Sequence, residues 1–553
     1  MHKETASSQQ HAGHDPQAVG MWEMLSAQFK NSATHVALLA TNKIFIYGGS
    51  SLDRDEFETP SLPRAEMLDM NTSPWQPYDI NCEPIACDLW CGGHTFLADG
   101  KLLFVGGTSY YPLPPDPFYG GLKEAFLFDP QTESWERVAD MQVGRWYPTL
   151  IRLPDDRVLA LGGLEYRAPG DQPKKNTLKN LYDLIRNFNK YIVRAYEIFD
   201  PATKTWSRLK TERQLPLYPR LHLLPDGDIF YSGMFNTHYF TPGRFPSAHW
   251  NPGTEEWMEM GGPHHQKNRE EGISVMLALR PPDYRSQFLI AGGGTHNLGR
   301  MLMALLHSIG RESWAAKFHS LTHVQDSVER IDLNDPDRNW NTVGKMHNRR
   351  IHANSVLLPD GNVLVIGGMA SYGGASGMHG IQDEYRADGA VYEAEMYDPA
   401  TNTWILMAPQ QKARVYHSTA ILLPDGRVIS MGSNPRGKSI EKSIEIFSPP
   451  YLFRGERPVI TEYPAQITHG ESFSIKVDHA HEIDKVVLMR PEVLTHVTNT
   501  DQRLLELVYR ITNEETLEIE GPPTPAHMLR GYCLLFVLNQ KDVPSVGKFV
   551  KIE

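Results

Sequence analysis

A hairpin with one kind of turn recurs along most of this chain, and it restricts the possible folds more than any other feature. From residue 33 onward, an apolar run, a turn and a second apolar run end in Gly-Gly or a close variant. The regular turns are Ala98-Asp-Gly100, Leu153-Pro-Asp-Asp156, Leu224-Pro-Asp-Gly227, Leu358-Pro-Asp-Gly361 and Leu423-Pro-Asp-Gly426. Asp-Gly supplies the positive φ angles that a tight hairpin needs. With a first copy at 40–43 and a degenerate fifth copy at 281–284, the sequence contains seven hairpins.

A tryptophan marks the second half of six of the seven repeats: Trp75, Trp135, Trp206, Trp257, Trp340 and Trp404. The seventh repeat has none, but Trp22 lies in an apolar segment near the start of the chain. An N-terminal strand that completes the last blade would close the ring and remove its edges. We therefore predict an all-β chain with a seven-bladed kelch-type β-propeller over residues 20–453, and not an open solenoid.

The segments outside the repeats predict three further features. Short apolar strands after residue 454 predict an immunoglobulin-like β-sandwich at 454–553. Insertions at about 165–195 and about 295–326 follow Gly-Gly pairs and contain helical spacing, and we interpret them as walls or lids of a site. Residues 1–19 are polar and lack the apolar core of a secretory signal, so we expect a disordered N-terminal tail.

Composition excludes several classes of protein. The 553 residues carry a net charge of -12, which argues against a surface that binds nucleic acid. No apolar run reaches the length of a transmembrane segment. Four cysteines are too few for a disulfide scaffold, and a bond between Cys82 and Cys87 stays open beside two free thiols.

Chemically active residues recur at one position of the repeat. Cys91, Tyr147, His352 and His417 each stand 15 residues before the first glycine that ends the second strand of their hairpin. Equivalent positions of a closed ring converge on its axis, so these side chains are expected to meet. Taken alone, a buried cysteine or a tyrosine at a blade end is usually packing, and His352 is expected to be structural.

Tyr416 next to His417 adds a phenol to this set, and phenolate with imidazole suits tetragonal Cu(II). A cysteine beside a tyrosine near copper allows a thioether, which would ease one-electron oxidation of the phenol. Copper and such a radical together store two oxidising equivalents.

At these motifs the chain resembles the copper-radical oxidases, which include galactose oxidase and glyoxal oxidase. The resemblance covers nearly the whole chain and is nearer the glyoxal oxidase branch. Its motifs are Trp90-Cys91-Gly-Gly, Arg145-Trp-Tyr147-Pro, Arg414-Val-Tyr416-His417-Ser and Thr495-His496-Val-Thr-Asn-Thr-Asp-Gln-Arg503. The closing Gly531-Tyr-Cys-Leu-Leu-Phe-Val-Leu-Asn539 looks like the family's last domain, an early-set sandwich.

The resemblance implies one copper ion and a cofactor formed by a thioether between Cys91 and Tyr147. Tyr147 would be the radical ligand, Tyr416 the axial ligand and general base, and His417 and His496 the remaining ligands. The implied reaction oxidises a primary alcohol or a hydrated aldehyde and reduces O2 to H2O2.

Departures from the family limit the choice of substrate. Met369 stands where galactose oxidase has a glutamine that contacts substrate, which argues against galactose. Glu165 or Tyr166 occupies the region of the tryptophan that stacks over the cross-link there, and Tyr166 is a weak candidate for substrate binding. Arg220 either contacts substrate oxygens or is an exposed structural residue.

Two alternative functions and two properties stay open. One alternative is a non-catalytic kelch propeller that binds a glycan or protein partner. The other is a copper protein with no radical function, in which the thioether never forms. The family implies an extracellular or cell-surface protein, although no signal peptide is visible in this sequence. The oligomeric state is unknown.

Overall fold

The protein's structure, a computed structural model, is nearly all β. It describes residues 15–48, 64–110, 120–165, 191–211, 213–236, 243–245, 247–260, 269–295, 323–371, 389–434 and 440–553. Both predicted insertions lie mainly outside these ranges. Within them the α-helix Pro16–Val19 and the 3-10 helices Pro450–Phe453 and Ala480–Glu482 are short, and none of these helices has the length and apolarity to cross a membrane.

Pro16–Val19 belongs to the stretch that the sequence analysis assigns to a disordered tail, and this assignment is wrong for these residues. The Asp15 side chain accepts a hydrogen bond from the Gln17 N–H, and proline occupies the first turn. Both features stabilise a helix N-terminus.

Seven antiparallel sheets of the described chain form the blades. From the inner strand outward, blade 1 contains His35–Leu39, Lys43–Gly48, Arg64–Asp69 and Pro77–Ile80; blade 2 contains Gly93–Phe96, Leu102–Val105, Ala125–Asp129 and Ser134–Arg137; and blade 3 contains Thr149–Arg152, Val158–Leu161, Ala195–Asp200 and Thr205–Trp206, with Lys210–Thr211. In the same order, blade 4 contains Leu221–Leu223, Ile229–Tyr231, Ala248–Asn251 and Glu256–Glu259, and blade 5 contains Ile273–Met276, Gln287–Ala291, Ser327–Asp332 and Asn341–Lys345. Blade 6 contains Asn354–Leu357, Val363–Ile366, Glu393–Asp398 and Thr403–Pro409, and blade 7 contains Ser418–Leu422, Val428–Gly432, Ser443–Ser448 and Met21–Gln28.

The N-terminal strand closes the ring as predicted. Met21–Gln28 pairs antiparallel with Ser443–Ser448, and Trp22 lies opposite Phe447 with ring centroids 5.0 Å apart. The Trp22 indole also donates to the Ala408 carbonyl at 2.8 Å, which ties blade 7 to blade 6. On the outer strand of blade 7, Trp22 therefore lies opposite an aromatic residue, as Trp135 and Trp404 do in blades 2 and 6.

Buried arginine–glutamate pairs set the start of the inner strand in four blades. The pairs are Arg145–Glu197, Arg269–Glu329, Arg350–Glu395 and Arg414–Glu445, with all eight side chains at most 3% exposed. Each arginine also donates to the carbonyl of the first glycine that ends its own hairpin, at 2.8–3.1 Å. Such buried pairs hold their geometry because an unpaired buried charge is very costly.

Those glycines must stay glycine for a steric reason. A Cβ atom at Gly367, where φ is +66°, would lie 2.3 Å from the Arg414 carbonyl oxygen of the next blade. The backbones of adjacent blades therefore touch at this point, and the inner-strand starts are held close to one another.

The C-terminal sandwich consists of two sheets. One contains Ile460–Glu462, Ser472–Val477, Thr516–Glu520 and Tyr509–Asn513; the other contains Gln466–Ile467, Lys548–Ile552, Gly531–Asn539, Ile483–Met489 and Leu504–Leu507. Three further small ribbons pair Thr108–Tyr110 with Gly120–Gly121, Met234–Asn236 with Gly243–Phe245, and Gly294–Thr295 with His323–Val324.

One strand of the C-terminal region belongs to the propeller. Val493–Thr495 pairs antiparallel with His35–Leu39, so blade 1 gains a fifth strand on its inner edge. His496 follows this strand directly, in a left-handed conformation with φ +48°. The pairing carries His496 to the axis of the propeller.

Candidate functional site

Six residues at the entry to the inner strands share an unusual backbone. Cys91, Tyr147, Tyr218, Glu271, His352 and His417, which we name the ring residues, have φ between 45° and 65°. A non-glycine residue is strained in this region and keeps it only where the surrounding structure imposes it. Backbone hydrogen bonds run from Tyr147 to Cys91 at 2.8 Å, from Tyr218 to Tyr147 at 2.9 Å and from His352 to Glu271 at 3.1 Å. The blades thus place these residues side by side.

Five predicted site residues converge. The hydroxyl groups of Tyr147 and Tyr416 are in hydrogen-bond contact. The rings of His417 and His496 lie perpendicular with centroids 4.7 Å apart, and the Cys91 Sγ is 3.8 Å from the His496 Nε2. Tyr147 and Tyr416 are half-buried whereas both histidines are buried, so the phenol pair faces the open side of the cluster.

The two imidazoles are arranged to offer lone pairs. The His417 Nδ1–H donates to the Asn434 Oδ1 at 2.7 Å, which leaves Nε2 as a buried atom with no hydrogen-bond partner among the described residues. Burial lowers the pKa of His417 to about 3 and that of His496 well below its usual value. His496 is oriented by the Thr495 hydroxyl, 2.7 Å from its Nδ1. Neutral imidazoles with one nitrogen fixed by a second partner are typical metal ligands.

Burial also acts on the acidic groups of the site. It raises the pKa of the Tyr147 phenol and of the Cys91 thiol well above their usual values, since both anions lose solvation. A cation between the phenols would reverse this preference by favouring phenolate. Among described His, Cys, Asp and Glu residues no group of three could hold a metal ion, so a metal site here depends on the tyrosines.

Aromatic rings cover both faces of Tyr147. Trp146 stacks on one face with centroids 3.7 Å apart and an interplanar angle of 12°, and Tyr218 stacks on the other at 4.4 Å and 27°. The Tyr218 hydroxyl is anchored on the Gly92 carbonyl at 2.9 Å. Sequence reasoning looked for a stacking residue at Glu165 or Tyr166 and missed Trp146. Tyr166 lies outside the described residues.

Two neighbouring histidines, His35 and His94, form a hydrogen-bonded path that ends at the Cys91 backbone. The Cys91 N–H donates to the His35 Nε2 at 3.3 Å, and the His35 Nδ1 is 3.5 Å from the His94 Nδ1. The His94 Nε2 lies 3.3 Å from the Val36 carbonyl, so it carries the proton and its Nδ1 accepts from His35. Sequence reasoning missed this path because the two histidines belong to the strands themselves.

Arg220 is buried, so the suggestion of an exposed structural arginine is wrong. Its guanidinium donates to the Thr498 hydroxyl on the hairpin that carries His496. Burial lowers the pKa of Arg220 to about 10. Met369 is fully buried and offers no polar group. Cys82 and Cys87 are free thiols in this structure.

Glu271 and His352 form a pair next to the tyrosines. The His352 Nε2 lies 2.7 Å from the Glu271 Oε2; the His352 side chain is 2% exposed and that of Glu271 is 31% exposed. The His352 ring packs against Tyr416, with centroids 4.9 Å apart. The sequence predicted a structural role for His352 and gave no signal for Glu271.

The fold and site define a class of protein: a seven-bladed propeller with two tyrosines, a cysteine and a histidine at its axis and a second histidine inserted by a C-terminal sandwich. Residues 64–451 match the family model "Glyoxal oxidase N-terminus", and residues 457–552 match "Galactose oxidase-like, Early set domain". The chain belongs to the glyoxal oxidase family.

Proteins of similar sequence agree with this assignment, and a solved structure agrees with the fold. The chain is 29% identical to the aldehyde oxidase GLOX of Vitis pseudoreticulata over 519 residues, which is 88% of this chain and 85% of that protein. It is 26% identical to galactose oxidase of Gibberella zeae over 505 residues, 87% of this chain and 64% of that protein. A solved fungal alcohol oxidase of the AA5 family, in complex with copper, superposes with a TM-score of 0.73 at 20% identity, over 97% of this chain and 99% of that one.

Proposed function

We propose that this protein is a copper-radical oxidase that converts a primary alcohol or a hydrated aldehyde to the aldehyde or the carboxylic acid. The contact between the Tyr147 and Tyr416 hydroxyls, beside two neutral imidazoles, carries this proposal. Relatives named aldehyde oxidase and galactose oxidase support it. A non-catalytic propeller has no need for strained residues that gather phenol, thiol and imidazole groups at one point.

The donor set fits a copper ion. Tyr147, Tyr416, His417 and His496 would hold the metal, and the orphaned Nε2 of His417 is the clearest single ligand position. Bound copper supplies redox chemistry: with the modified tyrosine it provides two oxidising equivalents, which O2 restores as it is reduced to H2O2. Two oxygen and two nitrogen ligands match the preference of Cu(II).

The protein's own residues bind substrate and move its proton and hydrogen atom. Tyr416, half-buried and in contact with Tyr147, is placed to take the proton of the substrate hydroxyl. Tyr147, once oxidised by one electron, would then take a hydrogen atom from the adjacent carbon, and bound copper would supply the acceptor for the remaining electron. A thioether to Cys91 would ease oxidation of the Tyr147 ring, and the stacking of Trp146 and Tyr218 shields that ring from solvent.

Peptide mass spectrometry after copper loading in air tests the cofactor. We expect the Cys91 and Tyr147 peptides to appear joined and lighter by two hydrogens than their sum, and the protein to release H2O2 with simple aldehydes or primary alcohols. The Cys91→Ala variant should fold and lose most turnover. Cys533→Ala is the matched control, since Cys533 is buried in the sandwich and should leave both cross-link and turnover unchanged.

The outcomes separate the alternatives. Two unmodified peptides from copper-replete protein, with no H2O2 from any substrate, would favour a binding propeller. Normal turnover in Cys91→Ala would contradict the role given to Cys91.

A further inference from the structure

Glu271 differs from the other acidic groups near the site in its position. It is a ring residue, so the same strained backbone that presents Tyr147 and His417 also presents its carboxylate. One carboxylate oxygen lies 2.7 Å from the His352 Nε2, and the His352 ring packs on Tyr416. About a third of the side chain is nevertheless exposed, unlike that of buried His352. Glu271 is therefore a partly exposed acidic side chain that is linked to Tyr416 through His352.

The Glu271 carboxylate acts electrostatically on several basic groups of the site. Glu271 is close enough to Arg220, His417 and His496 to raise the pKa of each against the larger effect of burial. The Arg220 guanidinium donates to Thr498, and the Glu271 carboxylate acts on Arg220 through its charge and raises the Arg220 pKa. Loss of the Glu271 charge would leave the positive charge of Arg220 without this nearby carboxylate.

We propose that Glu271 determines substrate choice: its carboxylate accepts a hydrogen bond from a hydroxyl group of a neutral alcohol or gem-diol and repels substrates that carry a carboxylate. This inference rests on the proposed function. A carboxylate is an acceptor only and bonds strongly to hydroxyl donors. Discrimination by a like charge is an efficient way to exclude a wrong substrate of the same size.

Glyoxal and glyoxylate are a matched pair for the test, because they differ mainly in one carboxylate. The wild-type enzyme should show a kcat/KM for glyoxal at least about tenfold above that for glyoxylate, the effect of a like charge at a partly solvated site. Glu271→Gln keeps the size and removes the charge, and it should reduce this ratio about tenfold, chiefly through faster glyoxylate oxidation. Glu256→Gln, on the exposed outer strand of blade 4, changes the net charge equally and should leave the ratio unchanged.

A second variant separates charge from scaffolding. His352→Gln removes the partner of Glu271 but keeps its charge, so it should lower turnover and still prefer glyoxal. An unchanged ratio in Glu271→Gln, or an equal loss of preference in His352→Gln, would overturn the proposal. If Glu271→Gln does not fold, the wild-type enzyme decides, since a glyoxylate kcat/KM equal to that of glyoxal is incompatible with repulsion.

Binding without turnover distinguishes this proposal from the proposed function. Ligand-observed NMR with acetate and acetamide, which have the same shape, reports the charge preference even if no substrate is oxidised. Glu271→Gln should tighten acetate about tenfold and leave acetamide unchanged. Equal acetate affinity in wild type and variant would refute the inference, whereas missing H2O2 alone would refute only the oxidase.

Discussion

Replacing Glu492 by glutamine tests how the hairpin that carries His496 is fixed to the propeller. Glu492 precedes the strand Val493–Thr495 and is 3% exposed. Its Oε2 accepts the Leu422 N–H of blade 7 at 2.7 Å, and its Oε1 accepts from Gln502. No basic side chain among the described residues is hydrogen-bonded to it, and neutral donors alone contact its carboxylate there.

Burial raises the pKa of Glu492 from 4.5 to about 7, which determines the sign of the effect. Between these pH values the folded protein holds a proton that the unfolded chain has released. The stability that this proton contributes is complete below pH 4.5 and is lost as the pH rises through about 7. The shift corresponds to about 3 kcal/mol at about 1.4 kcal/mol per pH unit.

Denaturant unfolding of the wild type and Glu492→Gln at pH 4.5 and pH 8 measures this contribution. The glutamine is uncharged at both pH values, so the free energy of unfolding of the wild type should fall relative to the variant by about 3 kcal/mol between them. Taking the difference cancels the pH dependence of all other groups. A difference that stays constant with pH would show that Glu492 is not the buried acid with a raised pKa that the structure describes.

Two further predictions concern groups around the site. Asn434→Ala removes the acceptor that orients His417 and should weaken copper binding about 10- to 100-fold, as measured by competition with a chelator, with the fold unchanged by circular dichroism. Arg414→Met strands the Glu445 charge and should lower the free energy of unfolding by about 3–5 kcal/mol, whereas Arg137→Met, which breaks an exposed pair, should cost less than about 1 kcal/mol; equal losses would refute the role of buried pairing.

Local sequence signals were sufficient to predict the propeller. Turn residues and strand spacing act over a few residues, so the hairpins could be predicted without knowledge of distant contacts. The sequence predicted that the Trp22 strand closes the ring, because the seventh repeat lacked its last strand and the Trp22 strand belonged to no other repeat. The arginine–glutamate pairs were missed because each joins residues about 30 to 60 positions apart.

The ring residues were recovered only where the repeat is regular. Cys91, Tyr147 and His417 share a 15-residue spacing to a glycine, and this spacing identified them. Tyr218 has the same spacing to Gly233, but Met234 replaces the second residue of the usual Gly-Gly, so the match was overlooked. Glu271 stands 21 residues before Gly292 because the turn of blade 5 is longer.

Hydrogen bonds from neighbouring side chains orient the groups of the site. Asn434 orients His417, Thr495 orients His496, and His35 holds the Cys91 backbone. The ring residues are strained, and the buried arginine–glutamate pairs lie beside the inner-strand starts that carry four of them. We predict that a site organised in this way would bind a metal without a folding transition, unlike small domains in which metal binding supplies the folding energy. Under the proposed function, the strain at the ring residues would preorganise the phenol pair for its chemistry.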